Sequence, residues 1–243
     1  MSSIALKQCC LVSKSWIPRT RRHLFAELKF RHERHLETWK KMFPGPSTSP
    51  AHFAKSLLVG CARAVTPADA EPGGWLTSFA HIVHLEVWPR EMHHGHSKAV
   101  SLVPFHGFSR TINSLHVKSV DLSPSRIFDF ILPSPRLEDL SLAGCGVSVD
   151  GDDGPPSFTR SSNLPVLTGS LNLCLKDGME PIAGRLLSIP AGIHFRKLAF
   201  TWHCREDLLP IIALVRECSH TLESLNIACT LHGTSIRCLD LHR

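Results

Sequence analysis

Residues 137–145 read Leu137-Glu138-Asp139-Leu140-Ser141-Leu142-Ala143-Gly144-Cys145, an apolar-x-x-apolar-x-apolar phrase closed three residues later by a cysteine. In an extended chain alternate side chains share a face, so Leu140 and Leu142 point together into a core and Leu137 enters from the preceding turn. The phrase recurs at Phe25-Leu28-Phe30, Ala54-Leu57-Val59, Ile82-Leu85-Val87, Ile112-Leu115-Val117, Thr168-Leu171-Leu173 (weak in its first slot), Phe195-Leu198-Phe200, Leu222-Leu225-Ile227 and Ile236-Leu239-Leu241. Between middle residues, from Leu28 onward, the steps are 29, 28, 30, 25, 31, 27 and 27 residues, then 14. At this composition three apolar slots arise by chance about once in fifteen to twenty positions, so the spacing carries the weight and no single phrase does.

A period of this size means stacked units, since a strand of about four residues, two turns and a return helix use roughly 25 to 30 residues. The returns read as helices. Ser123-Pro124 places a capping residue and a first-turn proline before the apolar stripe Ile127-Phe128-Phe130-Ile131. Asp207 stands as a cap before a helix with Pro210 in its first turn and an apolar set at 208, 211, 212 and 215. With Cys145 in the slot that bonds a neighbouring turn, residues 137–145 resemble a complete leucine-rich repeat unit. The other units depart there (Arg90, Val120, Lys176, His203, Thr230), as in the irregular, longer-unit branch of that family. The expected fold class is α/β: a leucine-rich-repeat-like solenoid over 27–243, a curved parallel sheet with helical returns. The competing reading is the ordinary core of another α/β fold.

Composition shifts punctuate the repeat. Pro44-Gly45-Pro46-Ser47-Thr48-Ser49-Pro50 reads as a linker, and 150–157, opening Asp150-Gly151-Asp152-Asp153, as an exposed acidic loop that stretches one unit. Residues 228–243 break the period and end on a phrase with no capping helix. A solenoid that stops uncapped exposes its core, so a truncated, variant or partner-covered end is expected.

With 243 residues, 43% apolar and 20% charged, the chain is equipped to bury a core, which rules out wholesale disorder. No apolar run approaches the roughly 20 residues of a membrane span, so no membrane partner is expected. The formal charge of +6 is local: residues 1–41 carry +7 and the remainder −1. A nucleic-acid surface spreads basic side chains over a binding face with motif support, and none of the usual motifs is present. Nine scattered cysteines without a Cys-x-x-Cys pair fit a reducing compartment, the cytoplasm or the nucleus. Lys7 splits the first apolar stretch and argues against a secretory signal; Trp16-Ile17-Pro18 interrupts the long amphipathic helix of a mitochondrial presequence.

Sixteen histidines invite a metal site. His93-His94-Gly95-His96 lacks a cysteine or carboxylate at ligand spacing, and His32-Glu33-Arg34-His35 and His81-Ile82-Val83-His84 lack the His-Glu-x-x-His phrase of zinc proteases. The acidic loop lacks the twelve-position spacing of a calcium hand. No Gly-x-Ser-x-Gly elbow and no phosphate loop occur. No catalytic residue, cofactor or metal is assigned, and the chain is not read as an enzyme.

The start of the chain, Leu6-Lys7-Gln8-Cys9-Cys10-Leu11-Val12-Ser13-Lys14-Ser15-Trp16 and then Arg22-His23-Leu24-Phe25, resembles the second half of an F-box. That family shows an apolar helix, a Cys-x-Val-Ser-Lys-x-Trp-like phrase, a short basic helix, and a Leu-Phe-like run leading into repeats. The resemblance covers about 25 residues and implies a helical segment over 1–26 that docks on the adaptor subunit of a cullin-type ubiquitin ligase. Leucine-rich repeats behind it would recruit an unidentified protein substrate. By the same resemblance Leu6, Cys10, Leu11, Val12 and Trp16 pack within the helical segment or against the adaptor. The family motif opens with a Leu-Pro phrase and a first helix, whereas Met1 stands inside the motif, so the F-box is expected to be partial. The alternative is a repeat scaffold that has lost ligase assembly. Binding would use exposed strand residues, of which the phrases supply Glu86, His116, Ser141, Asn172, Ala199 and Asn226; partner affinity usually rests on a few aromatic and arginine anchors.

Overall fold

A computed structural model of the chain describes residues 17–45, 49–88, 101–147, 166–176, 178–202, 205–231 and 234–242. Ten strands form among them: β1 (Glu27–Phe30), β2 (Ser56–Val59), β3 (His84–Val87), β4 (Ser114–Lys118), β5 (Asp121–Leu122), β6 (Asp139–Val147), β7 (Leu167–Leu175), β8 (Ile193–Trp202), β9 (Ser224–Leu231) and β10 (Thr234–His242). The fold is α/β. Strands β1, β2, β3, β4, β6, β7, β8 and β9 lie side by side in chain order, each neighbour parallel, in one open sheet. Two-residue β5 pairs with the end of β6.

Pairing aligns the repeat residue for residue. Leu28, Leu57, Leu85, Leu115, Leu140, Leu171, Leu198 and Leu225 form one continuous row across the eight strands. Phe30, Val59, Val87, Val117, Leu142, Leu173, Phe200 and Ile227 form the second. From Leu57 to Leu225 the first row is buried throughout, and both rows belong to one hydrophobic core. Each such leucine contributes about 1.5–3 kcal/mol by leaving water.

The backbone repeats as well. Two residues before each marker leucine, the carbonyls of Ala26, Lys55, Val83 and Asn113 each accept two N–H groups from the next unit. These are Lys55 and Ser56, Val83 and His84, Asn113 and Ser114, and Glu138 and Asp139, all at 2.8–3.1 Å. The pattern changes at Glu138, whose carbonyl takes the Ser170 N–H at 2.6 Å, while Gly169 stands beside it at φ +83°. A Cβ on residue 169 would collide with that carbonyl, so only glycine fits.

Two kinds of return cover the buried rows. Toward the N-terminus they are short 3₁₀ turns, Pro50–Phe53, Ala62–Ala64, Pro67–Ala70, Trp75–Ser78 and Val103–Phe108, with helices α1 (Ile17–Leu24) and α2 (Glu33–Met42) flanking β1. Toward the C-terminus they are the helices α3 (Pro124–Ile131), α4 (Glu180–Leu187) and α5 (Leu208–Glu217). Proline sits in the first turn of each kind, where its missing N–H costs little. The residues beyond the proline set the length. Pro72-Gly73-Gly74 follows the Pro67–Ala70 turn and keeps it short, whereas Ile127-Phe128 and Ile211-Ile212 let helices run on.

Several expectations need correction. Ser123 has cap backbone angles, but its hydroxyl meets the Ser125 hydroxyl at 2.8 Å and makes no cap bond. Asp207 is buried and accepts the Met179 N–H at 2.8 Å, so it secures the start of α4 in the preceding unit and not its own helix. With Asp207 held inward, α5 turns Ile211 and Leu214 into the core and leaves Ile212 half exposed, so the stripe is not 208, 211, 212 and 215. Thr168 is exposed and Leu167 is buried, because β7 continues its two-residue alternation back past Gly169. The supposed linker ends in structure: Ser49 and Pro50 are buried, and the Ser49 hydroxyl accepts the Ala51 N–H at 3.2 Å. The last phrase is no further parallel unit, for β10 folds back antiparallel on β9. Its 14-residue step leaves too little chain for a crossover, and a hairpin is the connection that remains. The acidic loop at 150–157 lies outside the described residues.

Candidate binding face

Returns occupy one side of the sheet; the residues between the buried rows face the other way. Two rows of outward side chains run there in register. One is Glu27, Ser56, His84, Ser114, Asp139, Ser170, Lys197 and Ser224; the other is Lys29, Leu58, Glu86, His116, Ser141, Asn172, Ala199 and Asn226. Near the middle, an open depression of about 430 Å³ is lined by Ser56, His84, Glu86, Ser114, His116 and Asp139, with Glu138 and Asn113 beside them.

Asp139 organises this centre. Its Oδ2 accepts from the Ser114 hydroxyl at 3.1 Å and from His116 Nε2 at 2.9 Å, and its Oδ1 accepts from the Ser170 hydroxyl at 2.6 Å. Partial burial pushes the carboxyl toward protonation, but the bonds from Ser170, His116 and Ser114 outweigh it and hold Asp139 below the ordinary carboxylate value. One strand away, Lys118 Nζ pairs with Glu86 Oε1 at 2.6 Å, and Asn172 Nδ2 donates to Ser141 Oγ at 3.2 Å. Four adjacent strands, β3, β4, β6 and β7, are thus tied across the open face by side chains.

Serine, histidine and aspartate meet here without forming a nucleophile. Ser114 and His116 both donate to the same carboxylate oxygen, so the hydroxyl proton points at Asp139 and not at the imidazole, whereas a catalytic serine needs its proton taken by the base. The thiols are no better placed. Cys145 is fully buried and its Sγ donates to the Val117 carbonyl at 3.4 Å, as expected of the turn slot. Cys61 does the same to the Phe30 carbonyl at 3.6 Å. Burial pushes both thiols up to about 11, away from the reactive thiolate. Among the described residues no three histidine, cysteine or carboxylate side chains gather as metal ligands, and no helix is long and apolar enough to cross a membrane.

Of the strand residues named from sequence, Glu86 and His116 enter the depression, Ser141 and Asn172 bond to each other, and Ala199 and Asn226 lie farther along the face. Sequence reading missed Ser114, Asp139, Ser170 and Lys118. The signal was present: the residue before each marker leucine, already inside the phrase, shares the outward face by strand alternation, so reading that slot together with the one after the leucine would have found the Asp139 row. Leu6, Cys10, Leu11, Val12, Trp16 and the His93–His96 cluster lie outside the described residues. From the N-terminal segment at 1–26, helix α1 is described, and it packs near Pro50–Phe53 ahead of β1. Comparison of the chain with family models, with curated proteins and with solved structures returns no match.

Proposed function

We propose that the chain is a non-catalytic interaction protein of the leucine-rich-repeat kind, acting as the substrate-recruiting subunit of a cullin-type ubiquitin ligase. The observation that carries the recruiting half is the in-register stacking of eight units, which buries two apolar rows on one side and turns two mostly polar rows outward on the other. Such a face offers a protein partner a broad, pre-ordered surface, and the absence of a poised nucleophile there, among the described residues, fits binding better than turnover. The ligase half rests on the F-box-like phrase through Trp16. On this reading the chain works in the cytoplasm or nucleus without a cofactor, with Leu11 and Trp16 at or behind the adaptor contact.

The test is a pull-down of the full chain and of a Leu11→Ala, Trp16→Ala double variant, probed for adaptor and cullin subunits. Capture by the full chain and loss in the variant is expected. No capture by a protein shown to be folded removes the ligase role and leaves a repeat scaffold.

A further inference from the structure

The depression over β3, β4 and β6 carries more negative charge than its own cations balance. Glu86, Glu138 and Asp139 all line it. Lys118 answers Glu86, and the His116 imidazole bonds Asp139; Glu138 is exposed and makes no ion pair among the described residues. Three hydroxyl and imidazole donors keep Asp139 ionised near neutrality. Of the other cations in the outward rows, Lys29 on β1 is already paired with Glu27 at 2.9 Å and Lys197 lies away on β8, so neither balances the depression. From Glu86 on β3 to Asp139 on β6 is two strand spacings, about 10 Å, with β4 between them as the floor. That width admits one long cationic side chain with carboxylates on both sides.

We propose that this depression seats a lysine or arginine side chain of the recruited protein, presented by a segment lying across β3, β4 and β6. The inference rests on the open face being the recruiting surface and adds the charge that surface selects. Charge complementarity here gives orientation and discrimination: an acidic segment would meet three carboxylates, a basic one would complete them. The whole chain carries +6, so a polycation gains nothing from the molecule at large and its binding has to be local.

The test titrates isotope-labelled full chain with a capped hexa-arginine peptide and, separately, a capped hexaglutamate peptide. Expected are amide shifts confined to β3, β4 and β6 with the arginine peptide, weakened by salt, and none there with the glutamate peptide. Glu138→Lys should weaken binding roughly tenfold, as removal of one partner from a charged contact does. Glu217→Lys, the same charge change on exposed Glu217 of α5, should leave it unchanged, which separates a site from bulk charge. Equal response to both peptides, or equal loss in both variants, overturns the proposal. A second arm places a photoreactive side chain at position 172. Cross-linking to protein segments free of lysine and arginine overturns the charge preference while leaving the recruiting face. Absence of both peptide shifts and cross-links overturns both.

Discussion

The two ends of one sheet are filled by different chemistry. Over β1 to β4 the returns are short turns apart from α2 between β1 and β2, and rings supply much of the bulk. Phe30 contacts Trp39 at 5.5 Å and Trp75 at 5.4 Å between centroids, Trp75 contacts Phe79 at 5.5 Å, and Lys40 stands 5.8 Å over the Trp75 ring. Into β6, β8 and β9 the returns are helices of 8 to 10 residues, and the last two bury Ile182, Ala183, Leu186, Ile211 and Leu214. Interiors pack to one density, so a thin return leaves more room for rings than a helix does, although α3 and β8 still bury Phe128, Phe130, Phe195 and Phe200. The strands change in step, four or five residues long through β4 and eight to ten from β6 to β9.

The largest effect should come where the helical end leaves least room. Gly169→Ala combines a φ of +83° with a Cβ driven into the Glu138 carbonyl, and β6 and β7 would have to separate. The expected loss is on the order of 3 kcal/mol or more, read from thermal or denaturant unfolding. Gly178→Ala is the control: its φ is +99°, but the nearest atom to a new Cβ is Asp207 Oδ1 at 3.7 Å, so the backbone penalty of about 1–2 kcal/mol stands alone. Equal losses at the two sites would show that the carbonyl contact costs nothing.

Removing the two kinds of filling should damage different ends. Trp39→Ala removes a ring that meets Phe25, Phe30, Phe43 and Phe79, at about 3–5 kcal/mol; Ile211→Ala removes an aliphatic filler, at about 2–4 kcal/mol. Amide exchange should place the lost protection of the first variant in β1 to β3 and of the second in β7 to β9, since each unit touches only its neighbours. Uniform loss of protection along the chain in both variants would mean that the two ends unfold as one.

The difference between the ends also explains how far the sequence is legible. The two buried rows can be read because strand alternation is local and repeats eight times; even Leu28 and Phe30 at the edge fall into register. Return type can be read only where a proline opens a long apolar stripe, as at Pro124 and Pro210. The aromatic fill cannot, because Phe30 meets Trp75 and Trp39 meets Phe79 from separate segments with no spacing to link them. Asp207 misleads for the same reason. A cap is expected to serve its own helix, and this one reaches a backbone N–H 28 residues earlier. Of the binding face, both outward rows lie inside the apolar phrases, one on each side of the marker leucine; Asp139, directly before Leu140, stands out only once Ser114, His116 and Ser170 are brought beside it from other units. Cys145 occupies the turn slot its spacing indicates; its counterpart Cys61 is hidden because no bulge precedes it, so it falls one position short of the expected slot.

A smaller effect separates the ends by pH. Each end holds one depressed carboxyl. Asp69 is drawn down by the Lys40 ammonium at 2.6 Å and the Thr66 N–H at 2.8 Å, against a burial that raises it; Asp139 is drawn down by Ser170, His116 and Ser114. A carboxyl whose folded value lies below its unfolded one, near 3.8, stabilises the fold above that unfolded value, and the gain disappears as pH falls through the folded value. Asp69→Asn should therefore cost on the order of 1 kcal/mol at neutral pH, with a gap to the parent that closes below about pH 4. Asp139 is more open to solvent and more screened, so Asp139→Asn should show a shallower closing of the same sign. Because Asp69 ties α2 to the aromatic turns, added salt should move the acid limb little for Asp69 and more for Asp139. A gap for Asp69→Asn that persists unchanged to about pH 2 would show that shape, and not the charged bond to Lys40, holds that end together.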